Sequence, residues 1–158
     1  MDMALGLTHH GTPPKRFLEA GLPPNTVRLE REAIEVFGKN HNAATYRHWR
    51  NQGLTPTRDV RFDFEGAFNE AAANASNIHF NLDGFDLQQA WRLGQNADPY
   101  LCGPAVGGVR MPGFTNWEFV RVLGNPTLRQ KTAFWQNGRQ VPLSGVLERA
   151  GVSPNAIP

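Results

Sequence analysis

The stretch Asn77–Gly84, which reads NIHFNLDG, decides the fold class of this chain. Apolar and polar residues alternate along it, and a period of two is typical of a β-strand with one buried face. The apolar side chains that we expect to face the core are Ile78, Phe80 and Leu82. The same alternation places His79 and Asn81 together on the opposite face. Asp83-Gly84 then predicts a turn.

Helices are predicted on both sides of this strand. Glu65–Ser76 is rich in Ala, a strong helix former, and Asp86 can cap a short helix that ends at Leu93. Further helices are predicted over Thr12–Ala20, Glu30–Phe37, Asn42–Gln52 and Thr115–Leu123, the last of them opened by a capping box of Thr115 and Glu118. Further strands are predicted over Val60–Phe64, and over Lys131–Trp135 and Arg139–Val141, which Asn137-Gly138 joins as a hairpin.

These elements predict an α+β fold, in which N-terminal helices are followed by a small, mainly antiparallel sheet. A connector over residues 94–115 is rich in Gly and Pro, and a connector of this length is commonly functional. The chain has 158 residues, which suits one domain. We expect residues 1–12 to be a leader or junction and residues 13–158 to form the domain.

Charge is unevenly distributed along the chain. Residues 61–100 carry 2 basic and 6 acidic side chains, whereas residues 101–158 carry 6 basic and 2 acidic ones. Arginine outnumbers lysine by 13 to 3, which favours a phosphate-bearing partner or reflects a preference for arginine codons. No apolar run is long enough to span a membrane, and the lone Cys102 cannot form an intramolecular disulfide. The first residues lack the features of a signal peptide.

The remaining polar residues favour RNA cleavage without a metal. Such a reaction needs a group that deprotonates the 2′-hydroxyl, a group that protonates the leaving oxygen, and donors around the phosphate. The predicted catalytic residues are His79, Lys131 and Thr132, and the predicted substrate-binding residues are Asn81, Arg129, Trp117 and Trp135. The alternative is that His79 pairs with a neighbour across the sheet and that the basic residues are solvated.

Two other functions remain open from the residues. An ADP-ribosyltransferase would use NAD as its cofactor, with Arg47 to hold it. Glu118 or Glu148 would stabilise the oxocarbenium-like centre or activate the acceptor, although Glu118 also fits the capping box. A binding module without catalysis would use the Gly/Pro-rich connector to dock a partner. No Walker loop, dinucleotide fingerprint, zinc motif or serine-hydrolase elbow is present in the sequence.

Three segments resemble the C-terminal toxin domains of bacterial polymorphic toxins of the Rhs and contact-dependent inhibition types. Residues 2–7 (DMALGL) resemble the junction that ends Rhs cores, Asn77–Gly84 resembles a strand-and-turn block of such domains, and residues 115–135 resemble their closing helix and strand. Within that group, the order of elements is similar to ribonuclease toxins of the barnase, EndoU and RelE types.

The resemblance implies a mode of action and a set of partners. It implies a toxin domain delivered as part of a larger secreted protein, which acts on tRNA or other RNA in the cytoplasm of a competitor. It also implies a cognate immunity protein, which we expect to be acidic because it must face a basic cleft. We expect a monomer without stable membrane association, and no cofactor unless NAD is the substrate.

Overall fold

The fold is built around the strand predicted within Asn77–Gly84. The computed structural model describes residues 1–6, 22–23, 25–27, 64–95, 105–106, 109–110 and 113–158. Its strands are β1 (Asp2–Leu5), β2 (Asn77–Asn81), β3 (Ala105–Val106), β4 (Val109–Arg110), β5 (Thr132–Gln136) and β6 (Arg139–Val141). Its helices are α1 (Phe64–Asn74), α2 (Leu87–Gly94), α3 (Gly113–Gly124), α4 (Pro126–Gln130) and α5 (Leu143–Ala150), followed by a 3₁₀ turn at Pro154–Ala156. The predicted α+β class is confirmed.

Four of the strands form one sheet in the order β1-β2-β5-β6, while β3 and β4 form a separate antiparallel pair. Both β1 and β5 run parallel to β2, and β6 runs antiparallel to β5. The prediction of a mainly antiparallel sheet was therefore wrong for the four-stranded sheet. An alternating pattern identifies a strand and its two faces, but it does not reveal the direction of the neighbouring strand.

The position of β1 also corrects the predicted order of elements. The prediction placed helices before the sheet and treated residues 1–12 as a leader, yet Asp2–Leu5 form a strand beside β2. On the other side of β1, Ala4 N donates to Val27 O and Val27 N donates to Asp2 O, each at 2.9 Å. Because Met3, Ala4 and Leu5 are fully buried, this part of the predicted leader belongs to the folded domain.

Several local predictions are confirmed. The predicted helix over Glu65–Ser76 is α1, and the predicted cap of α2 is present because Asp86 Oδ1 accepts a hydrogen bond from Gln89 N at 3.1 Å. Asn137 and Gly138 join β5 to β6 with positive φ angles of 52° and 75°. This is the backbone conformation that favours Asn-Gly in a two-residue hairpin turn.

The predicted capping box was wrong. Helix α3 begins at Gly113, so Thr115 and Glu118 both lie inside it and are fully buried. The predicted strand over Val60–Phe64 was also wrong at its last residue, because Phe64 opens α1. Other predictions lie outside the described residues: the remainder of that strand, most of the 94–115 connector, and the helices over Thr12–Ala20, Glu30–Phe37 and Asn42–Gln52.

The two faces of the sheet differ in chemistry. The core face carries buried apolar side chains, among them Met3, Leu5, Ile78, Phe80 and Phe134. Helix α3 packs on this face, where the ring centroid of Phe119 lies 5.8 Å from that of Phe80. We call the other side the polar face; its polar or amphipathic residues are Asp2, Asn77, His79, Asn81, Trp135 and Gln140.

Candidate functional site

His79 lies in the middle of the polar face. Its strand, β2, is flanked by β1 and β5, and His79 is in register with Ala4 on one side and Ala133 on the other. The small alanine side chains leave room around the imidazole, while the alternation of β2 turns Ile78 and Phe80 into the core. The side chain of His79 is 14% exposed, so the imidazole is held by the sheet yet reaches the surface.

Asp2 is the partner of His79 that the sequence analysis did not identify. Its Oδ2 lies 2.9 Å from His79 Nε2, and its Oδ1 accepts a hydrogen bond from Asn77 Nδ2 at 3.3 Å. The bond with His79, more than any other cause, holds the pKa of the Asp2 carboxyl below its ordinary value of 3.8. The main chain of β1 fixes the carboxylate in place, since Asp2 O accepts a hydrogen bond from Val27 N.

Trp135 contacts the opposite side of the imidazole. Its Nε1 donates a hydrogen bond to His79 Nδ1 at 3.3 Å, and the two ring centroids lie 6.2 Å apart. An indole N–H is a donor only, so Nδ1 must carry the lone pair. The donors and acceptors therefore assign the proton of His79 to Nε2, where it is donated to Asp2. Both imidazole nitrogens thus have a partner within the protein.

Asn81, which was predicted to bind substrate, forms hydrogen bonds with the backbone. It is fully buried; its Nδ2 donates to Gly6 O at 3.1 Å and its Oδ1 accepts from Asp83 N at 3.2 Å. These bonds connect the ends of β1 and β2 and hold the turn at Asp83. Asn81 shares the face of His79, as predicted, and stabilises the backbone there.

Lys131 and Thr132, which were predicted to be catalytic, and Arg129, which was predicted to bind substrate, donate hydrogen bonds to main-chain carbonyls. Lys131 Nζ donates to Ala72 O and, at 2.7 Å, to Ala75 O, at the C-terminal end of α1. Arg129 Nη1 donates to Leu123 O at 2.7 Å, near the end of α3, and Thr132 Oγ1 donates to Leu128 O at 2.6 Å in α4. Cationic and hydroxyl donors at these positions add hydrogen bonds to carbonyls near the C-terminal ends of helices, where intrahelical donors run out.

The bonds that the structure gives to these side chains do not include His79. Their donors face helix ends, and a second donor of Arg129 bonds to Pro158 O. The sequence placed Arg129, Lys131 and Thr132 close to the hairpin, but charge alone does not show whether a cation meets phosphate or a helix carbonyl. The alternative was that the basic residues are simply solvated, but Arg129 and Lys131 both donate hydrogen bonds to the main chain.

The two predicted stacking residues differ in accessibility. Trp117 is only 6% exposed; its ring meets the edge of Phe68, with centroids 4.9 Å apart, and the guanidinium of Arg121 lies over it at 4.7 Å. A base could not stack there without displacing α3. Trp135 is half-buried on the polar face and contacts His79 directly.

The alternative NAD site cannot be assembled from the described residues. Glu118 is fully buried in α3, and Arg47 lies outside the part that the structure describes. Among the described residues, no group of three or more His, Cys, Asp or Glu side chains is arranged to hold a metal ion. No helix within the described ranges is both long and apolar enough to cross a membrane.

Within the part of the chain that the structure describes, the Asp2–His79–Trp135 cluster brings together side chains that can carry acid–base chemistry. Comparisons with protein-family models, with curated proteins and with solved structures found no match to this chain.

Proposed function

We propose that the chain is a toxin effector domain that cleaves RNA without a metal, with His79 as the acid–base residue and Asp2 as the residue that positions it. The observation that carries the proposal is the 2.9 Å contact between Asp2 Oδ2 and His79 Nε2 on the polar face, where the two side chains are 13% and 14% exposed. An imidazole oriented by a carboxylate at the surface is a common arrangement for general acid–base catalysis.

The chemistry requires one proton to leave and one to arrive. His79 takes the proton of a ribose 2′-hydroxyl, the 2′ oxygen forms a bond to phosphorus, and the bond from phosphorus to the 5′ oxygen breaks. The leaving 5′ oxygen gains a proton from water or from the imidazolium, which gives a 2′,3′-cyclic phosphate and a 5′-hydroxyl. Asp2 stabilises the imidazolium that forms during this step.

The cross-sheet pairing of His79 does not by itself separate catalysis from a structural role, because an acid–base histidine also needs an orienting partner. The two roles differ in what happens when the imidazole is replaced. In His79→Gln, the new amide can still donate to Asp2 Oδ2, so the pairing is kept while the titratable group is lost.

The test compares the wild-type protein with His79→Gln on single-stranded RNA in the presence of a chelator. We expect the variant to fold and to cleave at least about 100-fold more slowly, the usual contribution of a positioned acid–base group. Glu70→Gln, an exposed change on α1, is the matched control and keeps full activity. A folded His79→Gln protein with wild-type activity would overturn the proposal. So would a wild-type protein that leaves RNA intact but transfers label from NAD to a macromolecule.

The proposal extends to delivery and partners. The basic C-terminal third and the resemblance to polymorphic toxins support an effector that is carried into a competitor's cytoplasm and is neutralised in its producer by an acidic immunity protein. We expect a cognate acidic immunity protein, co-expressed with the domain, to protect the producing cell and to bind the domain in solution.

A further inference from the structure

We propose that Nδ1 is the nitrogen of His79 that acts on the substrate, and that the indole of Trp135 covers it until a substrate hydroxyl takes its place. This inference rests on the proposed function, because it assigns the atom at which the proposed proton transfer occurs. It makes Trp135 a positioning residue rather than a base-stacking surface alone.

The two partners of His79 hold it with different strength. Nε2 faces a carboxylate at 2.9 Å, and Asp2 is also bonded through its side chain to Asn77 and through its backbone to Val27. Nδ1 faces a neutral indole N–H at 3.3 Å. A hydrogen bond to an ionised group is about twice as strong as one between neutral groups. A ligand therefore displaces Trp135 more easily than Asp2.

A hydroxyl can replace the indole without leaving the imidazole unsatisfied. The indole N–H and a ribose 2′-hydroxyl both donate to the lone pair on Nδ1, so one donor substitutes for the other. The displaced indole N–H finds water, because Trp135 is only half-buried and lies next to the exposed Gln140 on the polar face. The exchange costs little because neither group is stranded away from a partner.

Proton transfer then prevents the indole from returning. Once the hydroxyl has given its proton to Nδ1, the imidazole carries N–H groups on both nitrogens, and the N–H of Trp135 has no acceptor there. The indole regains its bond only when Nδ1 has passed the proton on and its lone pair is restored. Trp135 therefore leaves when the substrate binds and returns when the cycle is complete.

The first experiment measures the hydrogen bonds directly by ¹⁵N NMR of the intact protein. Without RNA, we expect the imidazole of His79 to be protonated at Nε2 only, with a coupling across the bond between Trp135 Nε1 and His79 Nδ1. Saturation with a single-stranded RNA oligonucleotide is expected to abolish this coupling. A proton on Nδ1 in the free protein, or a coupling that survives saturation with RNA, would overturn the inference.

The second experiment measures the cleavage of a dinucleotide by Trp135→Phe, which keeps an aromatic ring and removes the N–H. Loss of one neutral hydrogen bond that competes with substrate should raise kcat/KM by about 2- to 12-fold. Gln140→Ala changes the neighbouring side chain and keeps the wild-type value. An unchanged or lower kcat/KM for Trp135→Phe, in a protein as stable as the wild type, would contradict the inference.

The two experiments separate this inference from the function on which it rests. If the wild-type protein cleaves no RNA, the proposed ribonuclease activity fails, while the NMR coupling and its response to RNA still decide whether Trp135 covers Nδ1. If the wild-type protein cleaves RNA and the coupling persists in the complex, the activity stands and the role of Trp135 fails.

Discussion

His79 has two hydrogen-bond partners that together specify one proton arrangement. Asp2 accepts a bond from Nε2, and Trp135 donates to the lone pair on Nδ1. The pair of partners, more than the histidine alone, distinguishes this position from a polar residue that simply covers a strand.

Asp2 makes the stability of the fold depend on pH in a definite direction. The bond with His79 lowers the pKa of Asp2 in the folded state, so the ionised carboxylate contributes to the free energy of unfolding. This contribution is fully present above the ordinary pKa of 3.8 and is lost as the pH falls through the lower pKa of the folded state. We expect Asp2→Asn to destabilise the protein near pH 6, and the difference from wild type to shrink at the acid end. Urea unfolding of both proteins at several pH values measures this difference in stability. A difference that does not change with pH would contradict the role assigned to the Asp2–His79 bond.

Lys131 was predicted from the sequence to be catalytic, whereas in the fold its side chain binds carbonyls at the end of α1. Its Nζ serves the last carbonyls of α1, so Lys131→Met should destabilise the protein by about 1–3 kcal/mol, the usual cost of leaving buried acceptors without a donor. Arg139→Met, at an exposed position of β6, is the comparison and should change stability by less than about 0.5 kcal/mol. Equal unfolding midpoints for the two variants would show that the Lys131 cap is not needed.

At the level of elements, α2 and α3 pack closely at Gly94, the last residue of α2. A Cβ at Gly94 would lie 2.3 Å from the carbonyl oxygen of Asn116 and 2.5 Å from a methyl group of Val120. The backbone of α3 cannot move away without disturbing the buried side chains that this helix carries, such as Phe119. The last residue of α2 is therefore glycine because two helices meet there, and not only because a helix ends.

Gly94→Ala and Gly124→Ala form a matched pair that tests this contact. The first should lower the free energy of unfolding by about 1–3 kcal/mol, as overpacking does. The second meets nothing within 4 Å and should be neutral or stabilising by up to about 1 kcal/mol. Chemical denaturation of both variants gives the comparison, and similar effects at the two positions would mean that α2 and α3 are not in close contact.

The sequence was enough to predict individual strands and turns, but not which distant segments pair with them. The period of two in Asn77–Asn81 and the turn at Asn137-Gly138 depend on neighbouring residues, so the sequence contains what is needed to predict β2 and the hairpin. The direction of β1 and β5 depends on how distant segments meet. For the same reason, Asp2 was missed, because it reaches His79 across 77 positions of sequence.

At the scale of the whole molecule, the two faces of the sheet carry different kinds of residue. One face packs against α3 through an aromatic cluster that includes Phe80, Phe119 and Phe134. The other carries the Asp2–His79–Trp135 cluster on β1, β2 and β5, so three strands must be aligned before the site exists. A protein that loses β1 loses the residue that orients His79. The proposed activity is therefore a property of the assembled sheet.

The most direct test of this account is cleavage of a DNA strand that contains a single ribonucleotide, with a chelator present. Attack by the 2′ oxygen through His79 predicts one cut, on the 3′ side of the ribonucleotide, that leaves a 2′,3′-cyclic phosphate, and no cut in the all-DNA strand. Cleavage of the all-DNA strand, or a product without the cyclic phosphate, would contradict the account.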